Sequence, residues 1–166
     1  MKTHFSIVVW MLVVSMSLRI LIFAQNWQFS SWEYLYFFGN PFVMMTGIFL
    51  GIRLYKQLNE KKTSFLSDVK AGMKVAGMYA VLMAAFAYLY YSFIDSEYLM
   101  LKLEAQIQTA IENGANDGNV TKHRENGSFF LSAYFMSTIT LVGFIILGTF
   151  YSSLITFFVR KVRNEG

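Results

Sequence analysis

An uncharged run from Phe129 to Val159 constrains this chain more than any other stretch, because its thirty-one residues contain no Asp, Glu, Lys, Arg or His. A helix of about 20 apolar residues is enough to cross a bilayer. The composition points the same way: 55% of the residues are hydrophobic and 14% are charged, against about 25% charged in a soluble domain. The sequence therefore predicts an integral membrane protein.

The same run is too long for a single span. At 1.5 Å per residue it would extend about 46 Å, whereas the hydrocarbon core is about 30 Å thick. We expect its later part to lie in the bilayer and the Phe129 to Tyr134 end to stand outside.

Three more apolar runs predict three more spans, which gives an all-α, integral membrane four-helix bundle formed by one domain. The four predicted spans cover residues 5–24, 34–52, 75–93 and 135–159. Pro41 lies inside the second span, where a kink or a delayed helix start is expected because proline has no N–H to donate. Arg19 is the one charged residue inside the first span, and we expect it to snorkel outward to the membrane interface.

Lysine and arginine are distributed unevenly between the spans. Six of them lie between the second and third spans, and none lies between the first and second. Cytoplasmic segments of membrane proteins are enriched in these residues, so both termini are predicted to be cytoplasmic. The same positive charges are candidates for contact with anionic lipid headgroups, although topology alone accounts for their presence. The headgroup candidates are Arg53, Lys56, Lys61, Lys62, Arg160 and Lys161.

The connection between the third and fourth spans changes character halfway. Residues 97–113 place apolar side chains at three- and four-residue spacing, which predicts a short external amphipathic helix. Residues 114–127 are rich in Gly and Asn and lack apolar periodicity, which predicts an exposed loop. We expect the amphipathic helix and the Phe129 end of the last run to form a small external cap.

Small residues recur every four positions on three of the predicted helices. Helices in lipid associate through such residues because their backbones can approach closely. Packing within the chain is the favoured interpretation for the third helix, whereas the stripe on the second or last helix is expected to dock on another membrane protein. The stripes are Gly47 and Gly51; Gly72, Ala76, Ala80 and Ala84; and Gly148, Ser152 and Thr156.

The sequence contains few residues that could form a catalytic, metal or cofactor site. The two histidines, His4 and His123, are predicted to lie on opposite sides of the membrane, and there is no cysteine. No nucleophile elbow, P-loop, zinc-protease or dinucleotide motif occurs. We therefore expect no catalytic residue, no cofactor, no metal and no nucleic-acid partner.

Three segments carry a resemblance to a known family. They are the entry to the third helix, Ser64-Phe65-Leu66-Ser67-Asp68-Val69-Lys70-Ala71-Gly72, its exit, Tyr90-Tyr91-Ser92-Phe93-Ile94-Asp95, and the end of the last helix, Phe157-Phe158-Val159-Arg160-Lys161. In these segments and in its order of parts the chain resembles the domain-of-unknown-function family DUF4199. The resemblance implies a small four-helix protein of the bacterial inner membrane, and it implies no activity.

Three hypotheses of function follow. The favoured one is a non-enzymatic subunit or assembly partner of a larger membrane complex, whose partners are lipids and either another integral membrane protein or further copies of the chain. The second is a small lipid or solute transport element, acting as a homo-oligomer. A membrane enzyme is the weakest, because no set of titratable residues converges on one side.

Overall fold

The structure is a computed structural model that describes residues 2–59 and 63–164. All regular structure in those residues is helical, so the predicted all-α class is confirmed. The helices are α1 (Lys2–Ala24), α2 (Glu33–Leu58), α3 (Phe65–Leu89), a turn of π-helix (Tyr90–Ile94), α4 (Tyr98–Glu112), α5 (Asp117–Phe130) and α6 (Ala133–Asn164).

Four helical segments are long and apolar enough to cross a membrane, as the sequence predicts. They are His4–Ala24, Glu33–Leu58, Phe65–Ile94 and Ala133–Lys161. Each is longer than the predicted span, because the helices continue into polar residues at their ends. Helix α3 begins at Phe65, where the Ser64 hydroxyl accepts a hydrogen bond from the Ser67 backbone N–H at 3.2 Å and so caps the first turn.

Pro41 lies within α2 and does not delay its start, since the helix already begins at Glu33. The expectation of a delayed start is therefore wrong. Helix-breaking residues are tolerated in membrane helices where neighbouring groups satisfy the backbone. The carbonyl that Pro41 leaves without its helical donor is that of Phe37. One position earlier, the side-chain amide of Asn40 donates to the carbonyl of Tyr36 at 3.0 Å.

The uncharged run from Phe129 to Val159 is not one helix. Helix α5 ends at Phe130 and α6 begins at Ala133. The hydroxyl of Ser132 accepts a hydrogen bond from the Phe135 backbone N–H at 3.2 Å, which caps α6. The excess length is thus divided between two helices.

The predicted exposed loop over residues 114–127 is wrong in its structure. Gly114, with φ of +84°, follows the end of α4, and the Asn116 side chain accepts from the Asn119 backbone N–H at 2.9 Å to cap α5. Helix α5 then occupies most of the segment. It buries none of its residues, and so its sequence lacks the apolar periodicity by which an amphipathic helix is recognised.

The chain forms two compact units, residues 1–82 with 141–166, and residues 83–140. The core of the first unit contains apolar side chains from α1, α2 and α3. Its members with no exposed surface are Val8, Met44, Ile48, Ile52, Val75, Tyr79 and Ala80.

The second unit contains the end of α3, the π-helical turn, α4, α5 and the start of α6. Helix α4 buries Leu103 and Ile107, whereas Ile111, which the amphipathic pattern also placed on the apolar face, is 47% exposed. Leu103 lies directly against Gly127 of α5, at a place where a larger residue than glycine would collide with it. Glycine therefore lets α5 approach α4 closely.

Candidate functional site

The small-residue stripes of α3 and α6 face each other inside the first unit. A Cβ added at Gly148 would lie 2.5 Å from the Cβ of Ala76, and one added at Gly72 would lie 2.8 Å from the hydroxyl of Ser152. Other members of the stripes are also buried, with Ala80, Ser152 and Thr156 at 0% exposure and Ala84 at 9%. The small residues of α3 and α6 therefore serve packing between these two helices of the chain.

The stripe on α2 is likewise directed inward. Gly47 lies against Met11 of α1, and a Cβ at Gly51 would lie 2.6 Å from a methyl group of Val75 on α3. The expectation that Gly148, Ser152 and Thr156, or Gly47 and Gly51, stay available for another protein is wrong. Successive glycines of α2 contact different neighbours, so packing within the chain uses all three stripes.

A buried carboxylate joins three helices at one end of the first unit. Asp68 of α3 has no exposed surface. Its Oδ2 lies 3.1 Å from Nζ of Lys56 on α2, and it accepts hydrogen bonds from Arg160 on α6 at 2.9 and 2.7 Å. Arg160 also donates to the carbonyl of Thr63, just before α3.

This cluster corrects the interpretation of Lys56 as a headgroup contact, because the residue is 7% exposed. Arg160 is partly exposed and is also held by Asp68. Arg53 and Lys161 are exposed, as a headgroup contact requires, while Lys61 and Lys62 lie outside the described residues. A carboxylate with two cations keeps a net charge of +1, so the cluster remains positive after pairing.

Arg19 is enclosed by other groups of the chain and is not exposed at its surface. Its exposure is 2%, its guanidinium lies 3.8 Å from the carboxylate of Glu33, and its Cζ lies 5.2 Å from the ring centre of Tyr36. Glu33 is the first residue of α2, so Arg19 is directed toward the α1–α2 connection. The expected direction is found, but a carboxylate and an aromatic ring of α2 take the place of water.

A hydrogen-bonded network joins α1, α2 and α3 between these ionic groups. The hydroxyls of Ser15 and Tyr79 are 2.6 Å apart, and the Tyr79 hydroxyl donates to Oδ1 of Asn40 at 3.1 Å. No motif in the sequence predicts this network. The feature of the sequence that could have indicated it is a spacing of four residues, between Ser15 and Arg19 on α1 and between Tyr36 and Asn40 on α2. This spacing puts two polar residues on one face of each helix.

Replacing Tyr79 by phenylalanine is expected to lower the free energy of unfolding by about 1 kcal/mol, because two interhelical hydrogen bonds in a membrane protein contribute about 0.6 kcal/mol each. Thermal unfolding in mild detergent measures the difference. Tyr88→Phe on the same helix is the control, since Tyr88 is 46% exposed. Equal stability of the two variants would show that the network contributes nothing.

An apolar groove lies between α1 and α2 on the surface of the first unit. Its volume is about 560 Å³, and it is lined from Ser6 to Val14 on α1 and from Phe42 to Leu50 on α2. The lining contains no charged residue. The arrangement suits an apolar ligand of small-molecule size, for which pockets of about 300–1,000 Å³ are usual.

A family model described as a protein of unknown function, DUF4199, matches residues 6–161. The chain belongs to the DUF4199 family. The match covers nearly all of the four apolar spans and includes parts of both units, and the family description assigns no activity. No curated protein and no solved structure matches the chain.

Proposed function

We propose that this DUF4199 protein is a non-enzymatic subunit or assembly partner of a larger membrane complex, and that α5 contacts the partner. The observation that carries the proposal is a helix of 14 residues that buries none of them. Most of its residues are exposed, so the face turned away from α4 can contact another protein.

Helix α5 has little local reason to be stable by itself. Isolated helices shorter than about 12–15 residues are marginal in water, and Gly118, Asn119 and Asn126 are poor helix formers. The exposed Arg124–Glu104 ion pair, at 2.6 Å, contributes less than about 1 kcal/mol. A partner that covers α5 would supply the missing burial.

Aromatic rings at the end of α5 extend this surface. Phe129 and Phe130 are 58% and 51% exposed, and their ring centres lie 5.3 and 4.9 Å from that of Phe135. Exposed aromatic anchors beside polar residues are typical of protein interfaces. Rings at headgroup level in a membrane have the same character, so an experiment must separate the two roles.

The ionic groups of the first unit favour a structural role over catalysis. Asp68, Lys56 and Arg160 form ion pairs between helices, and Arg19 is paired with Glu33. Groups held in this way stabilise helix contacts. This supports a non-enzymatic protein.

Photocrosslinking in native membranes tests the proposal. A photoreactive amino acid at Lys122, in the middle of α5, is expected to give a discrete protein adduct, whereas one at Val81, which is 58% exposed on an apolar helix, is expected to label lipid. An adduct at twice the 19.1 kDa chain mass would identify a second copy as the partner. If Lys122, His123 and Glu125 all give no discrete adduct, the role of α5 is refuted.

A second candidate function is a lipid or solute transport element. The α1–α2 groove favours this function, and its uncharged lining favours lipid over a polar solute. Transbilayer movement of a labelled lipid in liposomes that contain the purified protein would support it.

A further inference from the structure

The length of the α1–α2 groove along the helices is about the thickness of one leaflet of the bilayer. Its lining on α1 extends from Ser6 to Val14, which at 1.5 Å per residue is about 12 Å along the helix. One leaflet contributes about 15 Å to a hydrocarbon core of about 30 Å. A membrane-spanning helix of a partner would need a groove along the whole core, whereas a lipid acyl chain needs only one leaflet.

The walls and floor of the groove suit an acyl chain. Trp10 and Phe42 form exposed walls, at 69% and 68% exposure. The floor is formed where Met11 lies over Gly47, which has no side chain of its own to fill the space. The hydroxyl of Thr46 donates to the carbonyl of Phe42 at 2.9 Å, so this polar group of the lining is already satisfied.

A cation lies just beyond one end of the groove. Arg53 follows Leu50, the last lining residue of α2, by three positions, so it lies on the same face one turn farther along the helix. Arg53 is exposed. Within the described part of the chain, Lys56 and Arg160 are held by Asp68, whereas no ion pair or hydrogen bond of the Arg53 side chain is found.

We propose that this groove binds an anionic phospholipid of the leaflet adjoining Arg53, with an acyl chain between α1 and α2 and the phosphate on the guanidinium. A guanidinium matches the geometry of a phosphate group because it can donate two parallel hydrogen bonds. The excess positive charge of the nearby Asp68 cluster favours a lipid with net negative charge over a zwitterionic one. By the distribution of Lys and Arg, this leaflet is the cytoplasmic one.

Trp10 provides a reporter inside the groove. The chain has three tryptophans, so the Trp27→Phe, Trp32→Phe variant keeps Trp10 alone. This protein is reconstituted in phosphatidylcholine vesicles that contain a brominated lipid, which is either phosphatidylglycerol or phosphatidylcholine. The mole fraction of each brominated lipid is varied over the same range, and the quenching of Trp10 fluorescence is measured. Brominated phosphatidylglycerol is expected to give half of its maximal quenching at about one fifth of the mole fraction that brominated phosphatidylcholine requires. The reason is that one basic residue near the headgroups shifts binding by about fivefold.

Two pairs of variants make the result specific. Arg53→Gln is expected to abolish the preference, whereas Lys70→Gln, which removes an equal charge from an exposed position of α3, is expected to keep it. Thr46→Phe fills the groove and is expected to reduce quenching. Its control is Thr149→Phe on α6, where the threonine is also exposed and also donates to the carbonyl four residues earlier.

The remaining outcomes overturn the proposal. Equal quenching by the two lipids would mean that the groove has no preference for an anionic headgroup, and equal effects of the Arg53 and Lys70 changes would mean that only diffuse surface charge acts. Trp10 shielded from both lipids would mean that protein fills the groove, either a second copy or a partner helix. None of these results bears on crosslinking at Lys122, so this inference and the proposed function can fail separately.

Discussion

Replacement of Asp68 by alanine is expected to lower the free energy of unfolding by about 3–5 kcal/mol, the usual effect of removing one partner from a buried ion pair. The carboxylate is fully buried, and the side chain of Lys56 is only 9% exposed. Without Asp68 the ammonium of Lys56 would remain enclosed without a counter-charge. Arg160, at 30% side-chain exposure, can turn toward solvent, so we assign most of the loss to Lys56. Chemical unfolding in mild detergent, followed by circular dichroism, measures it.

Two comparisons separate the buried cluster from general effects of charge. Glu104→Ala also removes a carboxylate from an arginine pair, but both side chains are about half exposed, so the expected loss is below about 1 kcal/mol. The triple variant Asp68→Leu, Lys56→Met, Arg160→Met removes all the charges together and is expected to regain most of the lost stability, because no unpaired charge is left buried. Equal stability of the Asp68 and Glu104 variants would contradict a structural role for the cluster.

The sequence predicts this cluster only in part. The uneven distribution of lysine and arginine marks one end of the helices, and the segment from Ser64 to Gly72, which contains Asp68, is identified as the entry to the third helix. The pairing itself depends on which faces of α2, α3 and α6 meet, with Arg160 separated from Asp68 by 92 positions along the chain. The sequence therefore predicts Lys56 as a headgroup contact, although in the structure its neighbour is a buried carboxylate.

Arg19 and α5 show two further limits. A single charge in an apolar run is expected to reach the interface, but Glu33 and Tyr36 enclose Arg19, and their approach follows from tertiary packing. Helix α5 was missed because it has too little burial to leave a pattern. Apolar periodicity reports burial, and no residue of α5 is fully buried. The capping residue Asn116 was therefore the remaining signal for where α5 begins.

The small-residue stripes show a third limit. Their spacing correctly identified surfaces of close helix approach, but spacing does not reveal which helix approaches. The structure places Ala76 opposite Gly148 and Ser152 opposite Gly72. A surface that was predicted to bind another protein is therefore part of the interior.

Replacement of Gly148 by leucine is expected to abolish the stable fold of the isolated chain. A Cβ at this position would already lie 2.5 Å from the Cβ of Ala76, and forcing even one extra methylene into a packed interior costs about 1–3 kcal/mol. Leucine adds three further carbons, against a total stability of about 5–15 kcal/mol for a typical protein. The measurements are the yield of monomer in size-exclusion chromatography and the unfolding temperature. Gly143→Leu on the same helix is the control, because no atom lies within 4 Å of its added Cβ.

A compensating pair tests the contact itself. Gly148→Ala alone is expected to destabilise the protein by about 1–3 kcal/mol, and adding Ala76→Gly is expected to restore part of that loss, because it removes the methyl group that the new one meets. A Gly148→Leu protein as stable as Gly143→Leu would instead place this stripe on the outside, where it could bind a partner. Since the structure places it inside, loss of partners from a Gly148 variant in cells would reflect unfolding, and Lys122 on α5 is the sounder position from which to search for them.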